Sequence, residues 1–272
     1  MNAGSYVPYC GAPPVPGQLT WNLDPVLLFL LVSVPVLYGI GNKGQAGPDR
    51  IRQSYFYLGW AVLAVALVSP LCSLSIALFS ARVAQHMLVT LVAAPLIVLG
   101  QPGAAFGSMV PKRFALRLPR MRDGVFQLAA TAGFAVALWT WHLPGPYDAT
   151  LQSDLIYWTM HVTIFGTALL LWHALFRRLD CVSSALLVGF GSTVQMSLLS
   201  ALLTLSPRPL FASHAGTTWP WGLSPLEDQQ LGGLIMWVPG GTLFTLIGVL
   251  AFGAWLKALS EEGATASARR GS

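Results

Sequence analysis

Seven long apolar stretches, at roughly residues 25–41, 55–71, 82–100, 125–142, 154–176, 182–205 and 228–257, dominate this chain and leave few folds open to it. Each reaches or exceeds the minimum of about 17 residues that a helix needs to cross the hydrocarbon core of a bilayer. Inside lipid every backbone N–H and C=O must find a partner within the protein, so such stretches have to be helices. Charge is scarce. Only 9% of residues are charged and 54% are hydrophobic, against about 25% charged in a soluble domain. The expected fold class is an all-α integral membrane protein, a bundle of seven transmembrane helices, with no soluble domain and no internal repeat.

The basic residues orient the bundle. Lys43, Arg50 and Arg52 lie between stretches 1 and 2, and Lys112, Arg113, Arg117, Arg120 and Arg122 between 3 and 4. Arg177 and Arg178 lie between 5 and 6, and Lys257, Arg269 and Arg270 follow stretch 7. All fall on one side, and only Arg82 and Arg208 on the other. Cytoplasmic loops carry the excess of Lys and Arg, so the N-terminus is expected outside and the C-terminus in the cytoplasm. Residues 1–22 read as a short extracytoplasmic tail without a signal peptide, 23–258 as the membrane domain, and 259–272 as a disordered cytoplasmic tail. The net charge of +5 follows from the same bias and from attraction to lipid headgroups, so no nucleic acid is implied.

The most informative block is Ser224 to Gly241. Ser224 with Glu227 three residues on reads as a capping box, and Pro225 suits the first helical position. Glu227 and Asp228 place negative charge on the positive end of the helix dipole. Gly232, Met236 and Gly240 recur every four residues and form a thin face for close packing. Pro35 and Pro239 predict kinks. Residues 71–81 are too apolar for a free loop and are expected to lie along the outer interface or to extend the third helix. Trp139, Trp141 and Tyr147 read as an interfacial aromatic belt.

The chemistry gathers by depth. At 1.5 Å rise per residue, His86, His142 and His161 all fall within roughly 10 Å of the outer surface, on the third, fourth and fifth helices. Asp228 tops the seventh at that level, and Met87, Met160 and Met236 are close in sequence. Ionisable residues inside a membrane are functional suspects. Imidazole suits copper or zinc, whereas thioether and thiolate select monovalent copper. A bond to a backbone carbonyl or neighbouring helix is the alternative role for each histidine, and core packing for each methionine. His173, about 18 Å deeper than His161 and roughly 120° around the helix, cannot share their ion and is expected to be structural. His214 is expected to be a solvated loop residue. Cys10 and Cys72 lie outside and could pair as a disulfide or pass a metal towards the histidines; Cys181 lies on the cytoplasmic side. No mid-span lysine for a retinal Schiff base, no Walker loop, no nucleophile elbow and no His-Glu-x-x-His helix is present, so hydrolysis and ATP-driven transport are poor readings.

Gly222-Leu-Ser-Pro-Leu-Glu-Asp-Gln-Gln-Leu-Gly-Gly-Leu-Ile-Met-Trp-Val-Pro-Gly240 resembles the signature of the polytopic, seven-helix CtaG family of cytochrome c oxidase assembly factors. Ala84-Gln-His-Met-Leu88, Trp141-His-Leu-Pro with Tyr147-Asp148, and His161 also resemble that family's segments, and the similarity spans roughly residues 20–257. The resemblance implies a non-enzymatic protein of the bacterial inner membrane. It implies that copper, monovalent by the ligand chemistry, is supplied to or protected for the CuB centre of a haem-copper oxidase. The oxidase catalytic subunit would be the partner, beside membrane lipids and an extracytoplasmic copper carrier. Common depth and ligand chemistry, rather than the resemblance, select the residues: His86, His142 and His161 would hold the ion, Asp228 would support them or ligate weakly, Met87 or Met236 would assist, and Cys10 and Cys72 could pass metal on or be structural. The rival readings are a haem-binding redox or quinone-linked membrane protein and a copper transporter.

Overall fold

The structure, a computed structural model, describes residues 6–43, 50–109, 122–177 and 182–270. Among the described residues seven helices are long and apolar enough to cross a membrane: Pro25–Asn42, Arg50–Val68, Phe79–Leu99, Asp123–Trp141, Asp154–Phe176, Leu187–Leu205 and Pro225–Lys257. The chain is a multi-pass helical membrane protein. In chain order the helices are α1 (Pro25–Asn42), α2 (Arg50–Val68), α3 (Pro70–Ala77), α4 (Phe79–Met87), α5 (Ala94–Leu99), α6 (Pro102–Met109), α7 (Asp123–Trp141), α8 (Pro144–Ala149), α9 (Asp154–Phe176), α10 (Val182–Leu205) and α11 (Pro225–Arg270). Lys112, Arg113, Arg117, Arg120, Arg178 and Cys181 lie outside the described residues.

Local chemistry sets the helix starts. Asp24 Oδ1 accepts from Leu27 N at 2.7 Å, with Pro25 next to it, and opens α1. The capping box of α11 is present: Ser224 N donates to Glu227 Oε2 at 2.8 Å, and Glu227 N donates to Ser224 Oγ at 3.3 Å.

Contacts at the two ends show that successive spans alternate in direction. At one end Cys10 is disulfide-bonded to Cys72, Trp221 Nε1 donates to Pro14 O and Thr217 Oγ1 to Ala77 O. At the other end Ser108 Oγ donates to Gly41 O and Arg177 pairs with Asp123 at 3.2 Å. The stretch Phe79–Leu99 is the most enclosed of the spans, and α1 is peripheral. The α11 helix packs along α10 and across α4, while α7 packs on α9 and α2 on α5. The main apolar core comes chiefly from α4, α9, α10 and α11.

Two expectations change, and one feature is new. The stretch 71–81 is neither an interfacial segment nor a simple extension of the third helix. It is the separate helix α3, then Leu78 in extended conformation, then the start of α4; Cys72, Ser75 and Ala77 are fully buried. The third span also contains a π-helical segment, Leu88–Ala93, immediately before Pro95. A proline ring clashes with the carbonyl four residues back, and a wider turn relieves that clash. Finally, α11 runs on to Arg270, so residues 259–270, expected as a disordered tail, are helical. Their Ala, Leu, Glu and Arg content favours helix.

The described residues before α1, from residue 6, are coil and turns, and they are tied down. Beyond the disulfide, Asn22 N donates to Val68 O at 2.9 Å, Ser73 Oγ to Thr20 O at 3.1 Å, and Tyr9 stacks on Tyr157 at 4.9 Å. This segment forms a roof over α3 and the start of α9.

Candidate metal centre

His86 stands near the end of α4, and His161 two turns down α9. Their rings meet edge to face with centroids 5.3 Å apart. Both are buried. His161 Nδ1 lies 3.0 Å from Tyr157 O, four residues earlier on its own helix. A carbonyl only accepts, so Nδ1 carries the proton and Nε2 presents a lone pair. That Nε2 and both ring nitrogens of His86 are buried and have no hydrogen-bond partner among the described residues. Buried polar atoms are nearly always paired, so three such nitrogens on two facing rings need a reason.

The site is roofed by the N-terminal strap. Tyr157 lies on His161 with ring centroids 4.2 Å apart, and its hydroxyl is 3.3 Å from Cys10 Sγ. Cys10 and Cys72 are bonded to each other, and in that state neither sulfur is a thiolate. From the other side, Thr90 in the π-helical segment donates to His86 O at 2.7 Å, and Trp172 Nε1 donates to Thr90 O at 2.8 Å. The irregular turn that sequence reasoning missed is therefore fastened directly to a site residue. Pro95, seven residues beyond Leu88, was its one visible signal.

His142 does not join the pair. It caps the end of α7 with Nδ1 2.7 Å from Leu138 O, and its ring meets Phe79 at 6.2 Å. Among the described residues no group of three or more His, Cys, Asp or Glu lies close enough to hold one ion. The sequence placed three histidines at one depth, and the tertiary structure brings two of them into contact. Met87 and Met236 are buried in the main apolar core. His173 lies apart, edge-on to Phe126 beside Arg177.

Asp228 has a different position from the one expected of a ligand. Its Oδ2 accepts from Phe79 N at 2.7 Å, and its Oδ1 accepts from Ser80 N at 3.1 Å and from the Ser80 hydroxyl. Leu78, the residue before α4, supplies no side-chain cap of its own. A carboxylate from α11 thus caps α4, where unpaired N–H groups and the helix dipole favour negative charge. Gly232, one turn on, permits the approach: a β-carbon there would lie 2.5 Å from Phe79 Cδ1.

His214 is buried rather than solvated. Its Nδ1 faces Ala77 O at 3.2 Å, so its Nε2 accepts the Tyr147 hydroxyl at 2.7 Å. Burial, aided by the Arg82 charge and opposed by the Ala77 carbonyl, lowers its pKa from 6.5 to about 3. Burial also pushes the Tyr147 phenol up.

A family model described as cytochrome c oxidase caa3 assembly factor (Caa3_CtaG) matches residues 36–258. The chain belongs to that family. No curated protein and no solved structure matches it. The Caa3_CtaG match takes in the histidine pair, Asp228 and the whole of the capped α11–α4 contact, and leaves out the N-terminal strap with Cys10.

Sequence reasoning left Arg82 out of the candidate site and counted it only among the basic residues of the outer side. It is 1% exposed and lies one helical turn before His86. The apolar run Leu74–Phe79 before it was the available hint that this arginine starts inside the protein.

Proposed function

We propose that this assembly factor acts in a bacterial inner membrane as a copper-handling protein. It holds monovalent copper as cargo between His86 and His161 at the outer end of the bundle, then releases it for the CuB centre of the oxidase catalytic subunit. The observation that carries the reading is the facing pair of buried imidazoles with three unpartnered ring nitrogens. Metal–imidazole bonds are about 2.0–2.1 Å, so rings 5.3 Å apart are within reach of one ion. His161 meets the usual requirement for a ligating histidine: its second nitrogen is fixed by a carbonyl. A site with two protein ligands leaves coordination positions open, which suits ligand exchange better than storage. His142 serves as a later station rather than a third ligand. Met87 and Met236 offer soft sulfur, Cys10 and Cys72 do so only when reduced, and Asp228 acts by holding α4 in place.

The test is copper stoichiometry of the protein purified under reducing conditions and challenged with a monovalent-copper chelator. The wild type should retain about one copper per chain, as expected if the pair binds a single ion. His86→Ala and His161→Ala should each lose it, while His142→Ala should keep most of it. Equal retention in all variants, or a haem absorption band, would overturn the proposal.

A further inference from the structure

Arg82 makes no ion pair or hydrogen bond through Nε or Nη2 among the described residues, although both atoms are buried. Its Nη1 donates to Thr150 Oγ1, and its guanidinium lies 5.0 Å from the Tyr147 ring centroid. The nearby carboxylates are otherwise engaged: Asp228 by Phe79 and Ser80, Asp148 by Ser213. An arginine keeps its charge at any physiological pH, and an unpaired charge in the outer part of a membrane bundle is heavily penalised. The two unpartnered groups are also the particular ones that form the bidentate edge of the guanidinium, the edge that matches a carboxylate.

The neighbours strengthen the point. Gln85 Oε1, both ring nitrogens of His86 and Nε2 of His161 are likewise buried without partners. Arg82 lies within electrostatic reach of His86, His142, His161 and His214. These orphaned polar atoms fall along little more than one turn of α4 and the facing turn of α9, inside an otherwise apolar core. Such a concentration calls for a bound polar species.

We infer that Arg82 forms a binding site for a small monoanion, a halide or a simple carboxylate, seated on its Nε–Nη2 edge beside the histidine pair. The site needs no metal. If copper binds as proposed above, the anion also offsets the added positive charge, so the two bind cooperatively.

Chloride-35 NMR on the metal-free protein in neutral detergent, at constant ionic strength set with a bulky sulfonate, tests this directly. The wild type should broaden the chloride line, and added formate should reverse the broadening. Arg82→Gln should abolish it. Arg82→Lys keeps the charge but lacks the two-pronged edge, so it should lose the advantage of formate over chloride. A carboxylate site predicts formate displacing chloride at a lower concentration than added bromide does; a halide site predicts the reverse. If Arg82→Gln does not fold, Arg82→Lys decides, with Thr150→Val as the folded control that leaves the Nε–Nη2 edge untouched and should still broaden the line. No broadening by the wild type, or broadening unaltered in both arginine variants, would overturn the inference. Because copper is absent throughout, this result stands apart from the copper stoichiometry.

Discussion

Replacing Asp228 by Asn separates two roles that the same residue was open to. In the structure the carboxylate is fully buried and accepts three hydrogen bonds from Phe79 and Ser80. An Asn keeps one acceptor oxygen but turns an NH₂ towards the other donors. It therefore removes at least one hydrogen bond to a charged group, worth about 1.5–3 kcal/mol, and leaves a buried N–H unsatisfied. It also removes the favourable charge at a helix N-terminus, worth about 1–2 kcal/mol away from solvent. These terms overlap, and the expected loss is about 2–4 kcal/mol. At about 2–4 °C per kcal/mol for a chain of this size, the thermal midpoint in detergent should fall by roughly 5–15 °C. Copper retention should weaken along with it, because the start of α4 positions His86 about two turns further on. An Asp228→Asn protein that melts with the wild type yet has lost copper would refute the capping argument and restore Asp228 as a ligand. One that melts with the wild type and keeps copper would refute both.

Gly232→Ala should destabilise by about 1–3 kcal/mol, because its β-carbon would meet the packed Phe79 ring 2.5 Å away and Ser80 Cα at 3.3 Å. Gly248→Ala, with no neighbour within 4 Å, is the matched control and should be neutral or better in the same thermal assay. Cys10→Ser removes a disulfide spanning 62 residues and should cost about 2–4 kcal/mol; an unshifted midpoint, with free thiols confirmed by alkylation, would show that the strap contributes nothing. The depressed pKa of His214 makes stability depend on acid. The unfolded chain takes up this proton below 6.5 while the folded protein resists it down to about 3, so His214 lowers stability as pH falls through that window. The slope is at most about 1.4 kcal/mol per pH unit for one proton. His214→Gln should flatten the denaturation profile between those values, and a profile unchanged by the substitution would refute the assignment.

The order of spans and their bounds were legible because they depend on local quantities: apolar length against bilayer thickness, and the Ser224–Glu227 box or Asp24–Pro25 start read within four residues. The π-helical turn and α3 were not legible, because each is a compromise between Pro95 or Leu78 and the helices packed around them. The depth of His86, His142 and His161 followed from helical rise alone, but depth is one coordinate. Which rings meet depends on the order and rotation of α4, α7 and α9 around the bundle, and the ring that meets His86 is that of His161. The partner of Asp228 lies 149 residues away in sequence, and His86 meets a ring on α9 across the whole of α7. Similarly, the charge of Arg82 was plain in the sequence, while its burial depends on the α8 segment, whose Thr150 and Tyr147 lie against its guanidinium. Composition thus determined that this chain is a seven-span helical membrane protein, since transfer into lipid acts on each segment separately. Only the packing of helix on helix decided which costly polar groups face one another, because their pairing depends on contacts no single segment contains.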